Sequence, residues 1–278
     1  MTASMLLDLP NVQGVAVGQQ TTIQCPVGKI QYENMNIQRG GTQFTKDQLK
    51  NIRVEVGGKP IMEFKNATQL DLINAYYGRD VAADSSTIHF YKPEFLEPAQ
   101  AQGFNLGLSD VSVLQTRFDI DAGAVAPTVT ANRTQWQAPG ANDTELYNNN
   151  RLGAFTKTRR FTKTASGAGD FEIDDLPREA YIQAIHLICA AGDNISSCEV
   201  KADGITVHKS TVTQMTEYVE RYKRVRQTNT YHIDFMLKNM IGGQLPVAGL
   251  SDFRLILNMA AGDTIDVYVE YLSGYAGI

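Results

Sequence analysis

Ile52-Arg53-Val54-Glu55-Val56-Gly57-Gly58-Lys59-Pro60-Ile61 reads as a strand, a glycine turn and a second strand. The same arrangement returns in the second half of the chain as Cys198-Glu199-Val200-Lys201-Ala202-Asp203-Gly204-Ile205-Thr206-Val207. In both stretches, strand-like runs flank a turn that contains glycine, which is the pattern of a β-hairpin. The two stretches therefore predict that one structural unit occurs twice in this chain.

Other features recur around these hairpins in the same order. They are an alternating stretch that ends at proline, a helix-like segment, a strand with a histidine, and a Leu-Ser-Asp triplet: residues 22–26 and 171–177, 68–77 and 213–222, 87–91 and 230–235, and 108–111 and 250–253. The offset between the copies drifts only from 151 to 142. A long repeat sets the fold, so we interpret residues ~20–121 and ~170–271 as two copies of one module.

Composition narrows the class of protein. The chain has 278 residues, which fits two domains, and 43% apolar residues, which is enough for packed cores. A net charge of −5 argues against a nucleic-acid-binding surface, which is usually strongly basic. We expect no membrane-spanning helix and no signal peptide. The three cysteines have no CxxC spacing and are expected to be reduced, as in a cytoplasmic product.

Both halves consist mostly of short alternating runs bounded by Gly, Pro, Asn or Asp, which predicts an all-β sandwich or barrel. Each half is interrupted once by a helical pattern, at residues 68–78 and 213–226. Thr68 and Thr213 are the expected N-caps of these helices. The prediction is two β-modules in tandem, each with one short helix insertion.

A polar segment, residues 122–169, separates the two modules and contains the single tryptophan, Trp136. Such a long connection is usually functional or flexible, so we expect it to lie outside the strand frameworks, with Trp136 partly buried. From residue 146 to 169 it has basic residues and no acidic one: Arg151, Lys157, Arg159, Arg160 and Lys163. The run fits a solvated loop or hairpin, or a contact with an acidic neighbour or anionic lipid.

No catalytic motif is recognisable in the sequence. The phosphate-binding patterns GxxxxGK[ST] and GxGxxG and the nucleophile elbow GxSxG are all missing. The four histidines (His89, His186, His208 and His232) lie far apart, and none has the HxH, HxxxH or HExxH spacing of a metal site. His89 and His232 are expected to be equivalent strand residues of the two copies, which indicates a shared packing role. We therefore expect a structural or binding protein and not an enzyme.

Two acidic clusters are the candidate sites for a cation. Asp119 and Asp121 flank Ile120 on a strand, so both carboxylates project from one face. Four acids also crowd the start of the second module: Asp170, Glu172, Asp174 and Asp175. Like charges this close need a counter-charge, which calcium could supply to Asp119 and Asp121. Arginine or lysine side chains could do the same, with Arg117, Arg178 or the pair Arg159 and Arg160 as the named candidates, or the acids could be simple surface residues. No cofactor is otherwise expected.

Several segments in a fixed order carry a resemblance to a known family. They are Lys50-Asn51-Ile52-Arg53-Val54-Glu55-Val56-Gly57-Gly58, Phe118-Asp119-Ile120-Asp121, Arg159-Arg160-Phe161, Asp175-Leu176-Pro177-Arg178, Ala184-Ile185-His186, Tyr231-His232-Ile233-Asp234-Phe235-Met236-Leu237, Asp252-Phe253-Arg254-Leu255 and Val269-Glu270-Tyr271. In their order and spacing over about 220 residues, the chain resembles the major capsid protein of corticovirus-type phages, icosahedral marine phages with an internal membrane. The middle segment is longer and more polar here than in that family.

The resemblance implies a double jelly roll, in which two eight-stranded barrels stand side by side. Residues 1–128 would form the first jelly roll, 129–169 a linker, and 170–278 the second jelly roll. It also implies a homotrimer with a pseudo-hexameric outline, assembled in the host cytoplasm into the capsid of the virion. The implied partners are neighbouring trimers, minor capsid, membrane and vertex or spike proteins, and peripherally the internal membrane, but not nucleic acid. Calcium contributes to virion stability in that group.

Two other readings stay open on the sequence. A two-domain β-sandwich adhesin or lectin, or a virion spike protein, would also have duplicated β-modules, but should expose an aromatic or ligand-binding cleft. An enzyme with two jelly rolls would need clustered histidines and carboxylates, which the sequence lacks.

Overall fold

The computed structural model describes residues 4–10, 12–137, 150–239 and 242–275. The chain divides into two units. Unit 1 comprises Met1–Asn74, Arg79–Thr156 and Gly274–Ile278, and unit 2 comprises Ala75–Gly78 and Lys157–Ser273. No helix in the described ranges is long and apolar enough to cross a membrane.

Unit 1 is built from antiparallel strands and two helices. In chain order these are β1 (Ser4–Asp8), β2 (Gln20–Cys25), β3 (Ile30–Gly40), β4 (Leu49–Val56), β5 (Lys59–Asn66), α1 (Ala67–Tyr76, whose last two residues belong to unit 2), β6 (Ser85–His89), α2 (Pro98–Gln102), β7 (Leu106–Gly107), β8 (Leu114–Ile120) and β9 (Thr128–Gln137). One sheet has the order β1-β9-β3-β6, with β7 added to β3, and the other has the order β2-β8-β4-β5.

Unit 2 repeats this arrangement. Its elements are β10 (Ala154–Ala165, from Lys157 onward), β11 (Gly169–Ile173), β12 (Tyr181–Cys189), β13 (Ile195–Ala202), β14 (Ile205–Thr211), α3 (Val212–Glu220), β15 (Thr230–Asp234), β16 (Leu245–Pro246), β17 (Phe253–Met259) and β18 (Asp263–Gly274, up to Ser273). The sheet orders are β10-β18-β12-β15, with β16 added to β12, and β11-β17-β13-β14.

Adding nine to the number of each strand of unit 1 gives the strand of unit 2 with the same neighbours. Within the described residues, each unit thus has eight strands in two four-stranded sheets, one further two-residue strand at the edge of one sheet, and a helix after the fifth strand, which is a jelly roll. The all-β double jelly roll with one helix insertion in each half is confirmed, although unit 1 also has the short α2.

Matched hydrogen bonds fix the residue equivalence between the units. The backbone N–H of Phe90 donates to the carbonyl of Glu33 over 2.8 Å, and that of Phe235 donates to Gln183 over 3.0 Å. A bulge lies at the same place in both, at Glu33 in β3 and at Gln183 in β12. Phe90 therefore corresponds to Phe235, an offset of 145 residues.

Apolar side chains between the two sheets form the core of each unit. In unit 1, the sulfur of Met35 lies 3.9 Å from that of Cys25 and accepts from the Thr116 hydroxyl over 3.6 Å. In unit 2, the Tyr231 hydroxyl reaches across to the carbonyl of Ser210 at 2.9 Å. The three cysteines are free and buried, and burial raises the pKa of Cys25 to about 11, so this thiol stays protonated at neutral pH.

The expected linker at residues 129–169 is corrected by the structure. It contains nearly all of β9, which pairs with β1 and β3, and the whole of β10, which lies beside β18. Polar composition suggested a loop, but Thr156, Lys157 and Thr158 are buried in consecutive positions of β10. Both jelly rolls therefore extend into this segment, while residues 138–149 lie outside the described residues. Trp136 is half-buried, as expected.

The helices are capped two residues earlier than expected. Neither Thr68 nor Thr213 is an N-cap, because each helix begins directly after a strand. In α1, the side chain of Asn66 accepts from the N–H of Gln69 over 2.9 Å. In α3, the Thr211 hydroxyl accepts from the N–H of Gln214, whose side chain accepts in return from the N–H of Thr211. The helices end at Tyr76 and Glu220, before the expected limits of 78 and 226.

Candidate functional site

Asp119 and Asp121 each accept hydrogen bonds from neighbours within unit 1, and Asp121 also pairs with the charge of Lys50. One oxygen of Asp121 accepts from the Lys50 ammonium, and the other accepts from the N–H of Gly123 over 2.8 Å. Asp119 accepts from the side-chain amide of Asn51 over 2.8 Å. The hydrogen bond from Lys50 lowers the pKa of Asp121, so this carboxylate stays ionised at mildly acidic pH. Both carboxylates lie at the partly exposed end of β8, where hydrogen-bond donors face them.

The acids at the start of the second module have separate partners. Asp170 accepts from Asn258 over 2.9 Å, Glu172 pairs with Arg254 at 3.1 Å, and Asp175 pairs with Lys163. Asp174 is exposed. Because Asp170, Glu172 and Asp175 each bind a different donor, the four acids do not form the convergent set of six to eight oxygen ligands that calcium prefers. Within the described ranges, no three His, Cys, Asp or Glu side chains converge on a metal site.

The arginines Arg117 and Arg178, expected to neutralise the acidic clusters, bind other groups instead. Arg117 approaches Glu55 at 3.5 Å, and Arg178 donates to the carbonyl oxygens of Leu250 and Ser251. The counter-charge beside Asp121 is therefore a lysine, Lys50, which was not among the named candidates. The sequence shows Lys50 as a strand residue but does not show which strand lies beside it. In the structure, Lys50 of β4 lies opposite Asp119 of β8, which places its side chain near Asp121.

The basic run of the middle segment is largely neutralised inside unit 2. Lys157 is 1% exposed and pairs with Glu179 at 3.0 Å, and Arg160 pairs with Asp266 at 3.0 Å. Arg159 lies 3.7 Å from Glu179, and Lys163 pairs with Asp175. These residues stabilise β10 against its neighbours and do not form a free cationic surface. Arg151 is exposed, in unit 1.

Two histidines that lie 46 residues apart in the sequence meet in the structure. His186 of β12 and His232 of β15 are direct cross-strand partners, and their Nδ1 atoms lie 2.8 Å apart. Both side chains are fully buried. The pair is not visible in the sequence, because only the register of two strands brings the residues together.

Two tyrosines from the end of α1 cover the histidine pair in unit 2. The ring of Tyr76 stacks on His232 with centres 3.9 Å apart, and its hydroxyl donates to Asp234 over 3.3 Å. Burial, foremost, raises the pKa of Tyr76 well above its ordinary value. These contacts seal the face of β12 and β15 that points away from the Tyr231 core.

The neighbouring tyrosine, Tyr77, completes the cover. Its hydroxyl donates to Glu270 over 3.0 Å and lies 3.4 Å from Nε2 of His186. The guanidinium of Arg224 lies over its ring, 5.2 Å from the centre, and pairs with Asp234 at 3.3 Å. The cluster is a buried network of hydrogen bonds that includes the ion pair of Arg224 and Asp234, and its chemistry suits packing and specificity of docking.

The corresponding face of unit 1 is open. Asn36, Thr87 and His89 occupy the positions of His186, His232 and Asp234, so His89 and His232 share a face but are not equivalent residues. A polar recess of about 440 Å³ lies here, lined also by Asp80 and Asn132. Burial lowers the pKa of His89 well below its ordinary value, and its Nδ1 has no hydrogen-bond partner among the described residues.

A second recess lies in unit 2 beside α3. It has a volume of about 470 Å³ and is lined by Val207, His208, Tyr218, Ile233 and Phe235, among others. Burial lowers the pKa of His208, so the ring is neutral at neutral pH. The apolar lining fits a packing surface better than a polar ligand site.

Comparison with protein-family models identifies both units. Residues 6–135 match the N-terminal domain of viral coat protein P2, and residues 155–275 match its C-terminal domain. The chain is 29% identical over 277 residues to the major capsid protein P2 of Pseudoalteromonas phage PM2, with 96% of each protein covered.

Comparison with solved structures gives the same result as the comparison of sequences. The crystal structure of the major capsid protein P2 from bacteriophage PM2 matches with a TM-score of 0.86 and 27% identity, covering 99% of this chain and 98% of that one. A chain of Sulfolobus turreted icosahedral virus matches with a TM-score of 0.71 and 10% identity, over 99% of this chain and 93% of that one. The PBCV-1 virus capsid chain matches at 0.65 and 10%, over 98% and 94%. The last two matches show the shared fold alone.

Proposed function

The chain belongs to the viral coat protein P2 family, and we propose that it forms homotrimeric, pseudo-hexameric capsomers of an icosahedral phage with an internal membrane. As a coat protein it is a structural component of the virion capsid and not an enzyme. The similarity to the PM2 major capsid protein over nearly the whole of both chains supports the role of the principal shell protein.

The main observation in support of a trimer is that the strands have the same order in the two units. Three copies of a chain with two similar jelly rolls supply six similar building blocks around one threefold axis. Such a tile has a nearly hexagonal outline, which fits positions of local sixfold symmetry in an icosahedral shell. The closed arrangement also protects strand edges that would otherwise promote aggregation.

Further partners follow from this role. Trimers contact neighbouring trimers in the lattice, and minor capsid, membrane and vertex or spike proteins complete the shell. The basic residues of β10 are paired inside unit 2, so a peripheral contact with the internal membrane would use other residues. Calcium at Asp119 and Asp121 would require a neighbouring copy to contribute oxygen ligands, because Lys50, Gly123 and Asn51 engage these carboxylates within one chain.

The mass of the purified protein in solution tests the proposal. A trimer has three times the chain mass of 30.6 kDa, which light scattering and sedimentation velocity resolve easily. We expect a trimer at micromolar concentration over a range of salt and calcium. A monomer under all these conditions would contradict the homotrimeric capsomer.

A further inference from the structure

The end of α1 in unit 2 provides a pattern for docking on a jelly-roll face. Tyr76 lies on His232, and the backbone N–H of Val225 donates to the carbonyl of Tyr76 over 3.0 Å. Beside it, Tyr77 lies under the guanidinium of Arg224. Two consecutive residues at a helix end thus contact a strand face and the turn that precedes β15.

The segment after α3 has the same conformation as the segment after α1. The N–H of Gly78 donates to Ala75 over 3.0 Å and that of Lys223 donates to Glu220 over 3.0 Å. Gly78 and Lys223 both have positive φ, 72° and 61°. The N–H of Arg79 donates to Asn74, and that of Arg224 donates to Val219, again 145 residues apart. Residues 76–80 therefore correspond one by one to residues 221–225.

This correspondence gives each residue of the contact in unit 2 a counterpart elsewhere in the chain. Tyr76 and Tyr77 correspond to Arg221 and Tyr222 at the end of α3. Among the receptor residues, Arg224 corresponds to Arg79, and Val225 corresponds to Asp80. Arg79 and Asp80 lie in unit 1, and Asp80 lines its open recess. In unit 1, no helix end among the described residues lies over the recess that Asp80 lines. Arg221 and Tyr222 at the end of α3 are not packed on a strand face as Tyr76 and Tyr77 are.

Both surfaces are partly exposed in the single chain. Arg79 itself is 8% exposed and pairs with Glu94 at 2.9 Å, as Arg224 pairs with Asp234 in unit 2. Arg221 and Asp80 are exposed, and neither makes an ion pair within the described part of the chain. Tyr222 contacts only the ring of Tyr218 among the aromatic residues described, and Tyr218 is 44% exposed. On the receptor side, Leu6 is 71% exposed and lines the recess.

We propose that the end of α3 of one copy docks into the recess of unit 1 of a second copy, in the manner in which Tyr76 and Tyr77 are docked in unit 2. Tyr222 of the first copy then packs under Arg79 of the second, repeating the contact of Tyr77 with Arg224. Arg221 lies at Asp80, where Tyr76 and Val225 meet in unit 2. The inference rests on the proposed trimer and names the residues of its contact.

Where unit 2 has Tyr76 and Val225, the proposed contact has Arg221 and Asp80, whose charges are opposite. An apolar contact with one backbone hydrogen bond is replaced by a pair of opposite charges, while the tyrosine and arginine of the neighbouring contact are kept. A guanidinium and a carboxylate at an interface fix register and exclude wrong partners. Since each copy donates one α3 end and offers one recess, the contact is head-to-tail and can close into a ring.

Charge reversal tests the contact. The variants Asp80→Lys and Arg221→Glu each place like charges together, so each should raise the concentration at which half of the trimer dissociates by about tenfold or more. The double variant Asp80→Lys/Arg221→Glu restores opposite charges and should return this concentration to within about threefold of that of the wild-type protein. Sedimentation velocity over a concentration series measures it.

Two exposed residues provide matched controls. Asp174→Lys and Lys29→Glu change the charge equally at positions outside the recess and the α3 end, and both should leave the trimer unchanged. Far-UV circular dichroism of every variant should match that of the wild-type protein, since all four sites are exposed.

The outcomes separate the inference from the proposed function. A wild-type monomer would overturn both. A wild-type trimer that Asp80→Lys and Arg221→Glu leave intact would overturn only the α3 contact, as would a double variant that dissociates as readily as the single variants. Dissociation of both single variants with recovery in the double variant supports the contact.

Discussion

The Nδ1 atoms of His186 and His232 lie 2.8 Å apart in the interior of unit 2, within hydrogen-bond distance of each other. Nε2 of His186 lies 3.6 Å from a carboxylate oxygen of Glu270, which favours a proton on that nitrogen. Nδ1 of His186 is then the acceptor, and His232 is the donor. Nε2 of His232 is left buried without a hydrogen-bond partner among the described residues, so protonation there would gain no acceptor.

This arrangement predicts a loss of stability in mild acid. Burial, with the nearby His186 and Arg226, lowers the pKa of His232 well below its ordinary value. Below pH ~6.5 the unfolded chain therefore binds a proton at this residue that the folded chain does not. The unfolding free energy consequently decreases as the pH is lowered. Above that pH both states are neutral and the effect vanishes.

The variant His232→Gln removes the titrating group. We expect the dependence of the unfolding free energy on pH between 5 and 6.5 to become shallower by up to about 1.4 kcal/mol per pH unit. Some dependence should persist, because burial also lowers the pKa values of His89 and His208. Urea unfolding at several pH values measures the slope, and an unchanged slope would show that His232 is protonated in the folded state.

Removing the hydroxyl of Tyr77 should destabilise unit 2. The variant Tyr77→Phe keeps the ring under Arg224 but takes one donor from the buried Glu270, which should cost about 1–3 kcal/mol. Thermal and urea unfolding measure the loss. The matched control is Tyr218→Phe, whose ring is 44% exposed and whose hydroxyl loss should be neutral. Equal effects in the two variants would contradict the role of the Glu270 hydrogen bond.

The buried ion pair of β10 gives a test of the corrected linker. Lys157→Met leaves Glu179 without its buried partner, and we expect a loss of about 3 kcal/mol of unfolding free energy. The double variant Lys157→Met/Glu179→Gln should recover part of it. Arg151→Met, at an exposed position of the same expected linker, should have little effect. If Lys157→Met were as mild as Arg151→Met, residue 157 would belong to a solvated loop after all.

Chelation and salt distinguish the two explanations for the Asp119 and Asp121 pair. We expect a chelator to leave the melting temperature of the isolated protein unchanged, because Lys50 already supplies the counter-charge to Asp121. Added salt should raise the pKa of Asp121 towards its ordinary value, as should Lys50→Met, and NMR titration of the carboxyl carbon reports both. A drop in melting temperature on chelation would instead support a calcium ion shared between copies.

Much of the fold could be predicted from local pattern. The hairpin of β4 and β5 and that of β13 and β14, the helix after each, and the triplets before β8 and β17 are all read from residues close in sequence. Alternation of apolar residues reports which side of a strand is buried, and turns require glycine or similar residues. The duplication also follows, because equal local patterns in equal order imply equal folds.

The tertiary structure decided what depends on distant partners. β9 and β10 have polar sequences and look like linker, yet β9 is held between β1 and β3, and Lys157 of β10 is buried because Glu179 lies beside it. The His186 and His232 pair and the role of Lys50 likewise depend on strand register. Local periodicity determined the modules of this protein, but burial of polar groups depends on which distant residues satisfy them, and only the assembled sheets specify that.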